Sequence, residues 1–308
     1  MISEHVSSFG GLPSFLYGPD DEETPADPSS VAWRLDVESD DEDFGALLDA
    51  FLDEIPGDQV RAVVIGPWGR AYRDPIPAGL LAAAAPRLPN LRALFLGDLV
   101  SEESEISWIQ QTDLTELLTA YPELEELRIR GGTGLALGPL RHDALRRLTI
   151  ETGGLSGGVV RSVGASDLPA LRSLTLWLGE ENYGGDASTD DLRELLSGVR
   201  LGSLRHLGLC NAQIADQVAA AVATAPIVPR LETLDLSLGA LTDRGADALL
   251  AGRSLTHLRR LDLHHHFLSP GARERLTAAL PGVEIDLSDP QEPSQYGDRV
   301  RRFIAVGE

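Results

Sequence analysis

Three consecutive histidines, His264, His265 and His266, are the first residues of this 308-residue chain that could do chemistry. Neutral imidazole binds zinc and similar cations, and it takes up a proton near neutral pH. Asp262 precedes the run, and Asp235, His206 and Asp286 are further candidates to share a cation with His264. A second group is cationic. Arg128, Arg130 and Arg147 lie close in sequence, and guanidinium forks grip carboxylates and phosphates through paired hydrogen bonds. Phe95 and Trp177 are aromatics of the kind that anchor protein interfaces. The single thiol, Cys210, follows His206 by four residues. Neither HExxH nor a cysteine pair occurs, and the glycine-rich GGTG (131–134) and GGLSGG (153–158) lack the lysine and spacing of a phosphate loop.

What these residues can do depends on the elements that carry them. One pattern recurs as LRALFL from Leu91, LEELRI from Leu124, LRRLTI from Leu145, LRSLTL from Leu171, LRHLGL from Leu204, LETLDL from Leu231 and LRRLDL from Leu258. VRAVVI from Val60 and LPGVEI from Leu280 fit with aliphatic substitutions, making nine copies. The copies at Leu204, Leu231 and Leu258 are spaced by 27 residues. Each alternates apolar and polar residues as a short strand with one buried face does. Segments of helical periodicity follow most copies, among them IADQVAAAVATAP, LTDRGADALLAG and SPGARERLTAAL. One strand and one helix cannot bury their own apolar face, so the copies must stack into a continuous core.

The motif resembles the leucine-rich repeat, and LETLDLSLGALTDRGADALL is similar to the ribonuclease-inhibitor type. The resemblance covers residues 60–288. It implies an α/β solenoid, a curved horseshoe with parallel strands on the concave face and helices on the convex face. It also implies a non-enzymatic protein-binding scaffold without a cofactor; the alternatives are a metal-dependent protein or enzyme using a His/Asp patch at the C-terminal end of the concave face, and a structural subunit of a complex. The opening FGGLP, the segment VAWRLDVE and the ending RRFIAVGE further resemble an uncharacterised family of bacterial leucine-rich-repeat proteins, which adds no function. One departure stands out. The ninth position of the motif, where Asn or Cys ties successive turns, holds Trp68, Leu99, Gly132, Gly153, Gly179, Ala212, Gly239, His266 and Ser288. Four glycines there suggest tight or left-handed turns.

Positions three, five and seven of each copy should project from the concave face. They gather Glu126, Arg128, Arg130, Arg147, Thr149 and Glu151 centrally, then Ser173, Thr175 and Trp177, with Val64, Gly66 and Phe95 making an apolar start. The expected partner-binding set is therefore Arg128, Arg130, Arg147, Trp177 and Phe95. Internal pairing of the arginines with Glu126 and Glu151 is the competing reading, as is packing of Trp177 under the insertion 179–190. His264 faces the same side while His265 and His266 sit in the turn, so the run is not itself a three-ligand site. A metal would have to join His264 to Asp262, Asp235, His206 or Asp286 across strands, against the plainer reading of a solvated polar face. On an extended strand Cys210 and His206 stand too far apart to form a nucleophile pair, about 13 Å between α-carbons.

Residues 1–59 read as an acidic N-terminal cap, with a strand at VAWRLDV (31–37), an amphipathic helix at FGALLDAFLDEI (44–55) and an acid- and proline-rich loop at 18–30. Residues 289–308 read as a linker followed by a strand that returns over the last repeat. Net charge is −22. That disfavours nucleic acid and anionic membranes, and favours a basic protein partner. The window from Asp20 to Glu54 holds fourteen acids against Arg34 alone. Lysine is absent, which with abundant Ala and Gly points to a GC-rich bacterial genome. The lone cysteine excludes an internal disulfide and fits a cytoplasmic protein. The start has neither the charge nor the apolar run of a signal peptide, and no apolar stretch is of membrane-spanning length.

Overall fold

The computed structural model describes residues 2–18, 24–37, 42–297 and 299–307. Part of the acidic loop read at 18–30 lies outside the described residues, as do residues 38–41 of the acid-rich window. Twelve strands form one sheet in strict sequence order. They are β1 (Ser8–Phe9), β2 (Leu12–Leu16), β3 (Ala32–Val37), β4 (Ala62–Trp68), β5 (Ala93–Leu96), β6 (Glu126–Arg130), β7 (Arg147–Glu151), β8 (Ser173–Gly179), β9 (His206–Ala212), β10 (Thr233–Asp235), β11 (Arg260–Asp262) and β12 (Glu284–Asp286). Within this sheet, among the described residues, β1 and β2 pair antiparallel and every other neighbouring pair is parallel.

The register follows the repeat. Val63, Leu94, Leu127, Leu148, Leu174, Leu207, Leu234, Leu261 and Ile285 stand side by side across β4 to β12. All but the half-buried Ile285 are buried, forming one row of the core. The last copy is offset from its sequence alignment: Arg260 pairs with Glu284, so Gly282 rather than Leu280 takes the first position. Because the shift is two residues, alternation is preserved and Glu284 and Asp286 still project from the sheet.

Helices cover the opposite face: α1 (Phe44–Glu54), α2 (Ala78–Ala83), α3 (Thr115–Ala120), α4 (Gly157–Ala165), α5 (Arg193–Ser197), α6 (Ala215–Thr224), α7 (Asp243–Ala251) and α8 (Pro270–Ala279). Their starts are tied to the preceding repeat. Asp216 Oδ1 accepts from Thr242 N at 2.8 Å and Gly245 N at 3.1 Å, and Asp243 Oδ1 accepts from Ser269 N at 2.8 Å. The cap amides of α7 and α8, and Gly245 N in the first turn of α7, are thus satisfied by side chains rather than left bare.

Both terminal segments fold back on the solenoid, the first over the sheet and the second along the turns. At the N-terminus Gly10 and Gly11 both have positive φ, 58° and 77°, which makes the two-residue turn of the β1–β2 hairpin. The hairpin lies on the outward alanines Ala62 and Ala93; a Cβ on Gly10 would approach the Ala93 Cβ to 2.8 Å. At the C-terminus, β13 (Ser294–Tyr296) and β14 (Arg299–Arg301) pair only with each other, and residues 302–307 form no strand. The returning strand expected over the last repeat is replaced by an extended tail that runs back along the turns. Ala305 N donates to Leu238 O at 2.9 Å and Val306 N to Asn211 Oδ1 at 3.1 Å, while the Asn211 amide donates to Val306 O. Val306 and Ile2 then line the same small cavity.

The ninth-position glycines mostly serve close approach. Of Gly132, Gly153, Gly179 and Gly239, only Gly179 has positive φ. A Cβ on Gly153 would meet the Gly307 carbonyl at 2.2 Å, so the passing tail requires a glycine there.

Candidate functional site

The sheet's free face, concave in this fold class, divides into a sealed half and an open half. The N-terminal segment seals β3 to β5. Phe9 packs on Phe95 with ring centroids 5.6 Å apart, and both join Ala32, Ala62, Val64 and Ala93 in a second buried apolar cluster. Phe95, expected as a binding residue, is therefore 0% exposed. The sequence places it outward correctly, but a hairpin signalled by the Gly-Gly of FGGLP covers it.

Behind Phe95 runs a buried ionic network. Arg130, also expected at the surface, is 2% exposed. Its Nη1 donates to Asp98 Oδ1 at 3.0 Å and Leu99 O at 2.8 Å, and its Nε donates to Glu151 Oε2 at 3.0 Å. Arg34 reaches the other Asp98 oxygen and also pairs with Asp36 at 2.7 Å. Arg128 donates twice to Glu151 Oε1, at 3.0 and 2.6 Å. The Arg128 and Arg130 guanidiniums lie 4.6 and 5.1 Å from the Phe95 centroid, within cation–π range. His5 closes the network, with Nδ1 3.1 Å from Asp98 O and Nε2 3.3 Å from Glu103 Oε1. Burial pushes the Asp36 carboxyl above its ordinary pKa against the pull of Arg34. Arg34, Asp36, Asp98 and His5 were not among the expected site residues. The signal for the first two was available: β3 continues the repeat register, with Arg34 level with Val64 and Phe95.

The open half spans β7 to β12. Arg147 is 57% exposed at its side chain and pairs with Glu126 Oε1 at 3.2 Å. Trp177 is half-buried against the core rather than standing free. His206 Nε2 faces Thr175 Oγ1 at 3.2 Å, and burial lowers its pKa. Asp235 Oδ1 accepts from Ser237 N at 2.9 Å. Cys210 is buried and its thiol is pushed well above the usual range by that burial, so it is a poor nucleophile.

Of the expected cation ligands, the structure unites Asp262, His264 and Asp286, whose ligand atoms lie within 4.8 Å of one another; Asp235 and His206 do not join them. His264 Nδ1 is 2.7 Å from Asp262 Oδ1. The space between the carboxylates already holds a cation. Arg260 Nη2 donates to Asp262 Oδ2 and Asp286 Oδ2, both at 2.8 Å, and its Nη1 donates to Glu284. Hydrogen bonds from the Ser288 hydroxyl and amide hold the Asp286 carboxyl below its ordinary pKa.

The other two histidines of the run have separate work. His266 is fully buried at the ninth position. Its Nδ1 accepts from Leu268 N at 3.1 Å and its Nε2 donates to Leu287 O at 3.1 Å. An imidazole thus does the turn-bridging job of the missing asparagine. His142 bridges Leu145 N and Tyr121 O in the same manner. His265 takes a positive φ of 55° and reaches Phe303 O in the tail at 3.2 Å.

Stacked parallel strands with helices on one face and a leucine register repeated from β4 to β11 define a leucine-rich-repeat protein. Among solved structures the chain is similar to a Bacteroides fragilis protein at 36% identity, over 80% of this chain and 70% of that one, with a TM-score of 0.75. It belongs to the same family as that protein. A Leptospira interrogans leucine-rich-repeat protein matches at 16% identity, over 84% of this chain and 61% of that one, with a TM-score of 0.35. The TLR13–ssRNA13 complex matches at 14%, over 80% and 35%, with a TM-score of 0.39. No family model matches the chain, and no curated protein does. Among the described residues no helix is long and apolar enough to cross a membrane.

Proposed function

We propose that the chain is a cytoplasmic protein-binding scaffold whose working surface is the open half of the concave face, β7 to β12. The observation that supports this most is the contrast between the halves: the chain's own N-terminal segment covers β3 to β5 and leaves Arg147, Ser173, Thr233 and the Arg260 cluster uncovered. Six parallel strands at about 4.8 Å spacing give a platform roughly 24 Å across, wide enough for a helix or an extended segment. Its outward charges are Arg147 and Arg260 against Asp235, Asp262, Glu284 and Asp286, which suits a basic partner. Arg147 and Trp177 remain from the expected binding set, with Arg128 at the boundary.

The test is site-specific photocrosslinking in the native host, with the crosslinker at Ser173 or Thr233 and, for comparison, at Glu274 on the convex helix α8. One basic protein captured from both concave positions and not from Glu274 is the expected result. Capture from Glu274 alone would move the binding face to the helices.

A further inference from the structure

Along the edge where strands pass into helices, the C-terminal segment runs beside the first turns of α7 and α8 and leaves a cavity of about 630 Å³. Arginines line it from three walls: Arg244 in the first turn of α7, Arg273 in α8, and Arg302 just after β14. Among the described residues none of the three has an ion-pair partner, whereas Arg128, Arg130, Arg147 and Arg260 all do. The Nε atoms of Arg273 and Arg302 are shielded from solvent without any hydrogen-bond acceptor. The guanidiniums themselves line the cleft without an ion pair, and their remaining N–H groups are donors that an anion can pair with.

Among the described residues the acids that line the cleft form no ion pair with these arginines. Asp243 lines the cavity, and its oxygens accept from Ser269, at 2.8 Å from the amide and 2.6 Å from the hydroxyl. Glu292 is exposed at the rim. Nor do the helix ends supply the attraction, since Asp216, Thr242 and Ser269 already cap them. Phe267, Pro270 and Pro290 give the cavity an apolar wall. A second cavity, of about 690 Å³, adjoins it and shares Thr242, Arg244 and Arg302. Volumes of this size suit small organic ligands.

We propose that this cleft binds a phosphorylated small molecule, with its phosphate among Arg244, Arg273 and Arg302 and its organic part against Phe267 and Pro290. Three guanidiniums match the three free oxygens and near-double charge of a phosphate monoester better than the two oxygens and single charge of a carboxylate. In a protein of net charge −22, such a concentration of unpaired cations selects for an anion that the rest of the surface repels.

The experiment is isothermal titration of the full chain with phenyl phosphate and with benzoate, which present the same ring on the two anions. Phenyl phosphate should bind at one site with a submillimolar dissociation constant, and benzoate at least tenfold more weakly. Arg273→Gln and Arg302→Gln should each weaken phenyl phosphate at least tenfold, with circular dichroism melts unchanged. Arg172→Gln, which removes an exposed arginine elsewhere, should leave it unaltered. Absence of saturable binding overturns the proposal. So does equal affinity for benzoate, binding that survives both cleft substitutions, or equal loss in Arg172→Gln.

Discussion

Replacing His266 separates its hydrogen bonds from its ionisation. His266→Leu puts an apolar side chain into a fully buried site but strands Leu268 N–H and Leu287 C=O. The buried Leu268 N–H costs about 1–3 kcal/mol when orphaned and the part-buried Leu287 C=O less, so the variant should lose about 2–4 kcal/mol. His266→Asn offers an amide oxygen to Leu268 and an amide N–H to Leu287, and should lose about 1 kcal/mol or less. The pH dependence adds a second signature. Burial pushes the His266 pKa down, although its bond to the Leu287 carbonyl and a backbone contact oppose the shift. The unfolded chain therefore takes up a proton near the ordinary pKa of about 6.5 that the folded chain refuses. Stability from this group is fully present above that pH and is lost as pH falls toward the depressed folded value. Guanidinium unfolding followed by circular dichroism at pH 7.5 and 5.5 reads both effects. Wild type should lose more stability on acidification than His266→Asn, other titrating groups cancelling in the comparison. A leucine variant within about 1 kcal/mol of wild type, or an asparagine variant as damaged as the leucine one, would refute the bridging role.

Arg130→Ala should cost about 3–5 kcal/mol in the same assay, because it leaves Asp98 and Glu151 buried without it, whereas Arg147→Ala, whose ion pair is exposed, should cost about 1 kcal/mol or less. Gly10→Val would place a Cβ against Ala93 and demand positive φ from a β-branched residue, so the hairpin should lift; faster amide exchange over residues 93–96 would report it, and unchanged exchange would show that the hairpin is not held by that contact. Zinc titration by calorimetry should give no tight site in wild type, since Arg260 occupies the carboxylate cluster, while Arg260→Ala should acquire binding that His264→Ala then removes; tight binding by wild type would contradict the assignment of Arg260 as the resident cation.

The solenoid was legible because its leucines are periodic and periodicity survives without knowledge of contacts. Even the misaligned last copy kept its inward and outward faces, since the error was a whole strand period. The site was less legible for the same reason. Alternation reports which side of the sheet a residue faces, and Phe95 and Arg130 do face the free side. Whether that side is open depends on where residues 2–12 travel, a contact between segments more than eighty residues apart. Small residues at Ala32, Ala62 and Ala93 carried a hint, because three outward alanines in register make a trough. The ion pairs of Arg128 and Arg147 with Glu151 and Glu126 were anticipated as an alternative, being neighbours on adjacent strands. Arg130's second partner, Asp98, lies in a turn, where strand periodicity says nothing.

An ordinary repeat array behaves as a line, in which each unit feels only its neighbours and either end can fray. Here Val306 and Ile2 meet in one cavity, and the tail bonds to residues near 211 and 238 on its way. The line is thereby drawn into a circuit. Melting cannot begin at the last repeat without first releasing the clasp at the other end of the chain. Folding in turn must await contacts across nearly the whole sequence, which slows it. The same closure makes a permuted chain feasible: residues 2 and 307 joined by a short linker, with new ends opened in the insertion near Gly184.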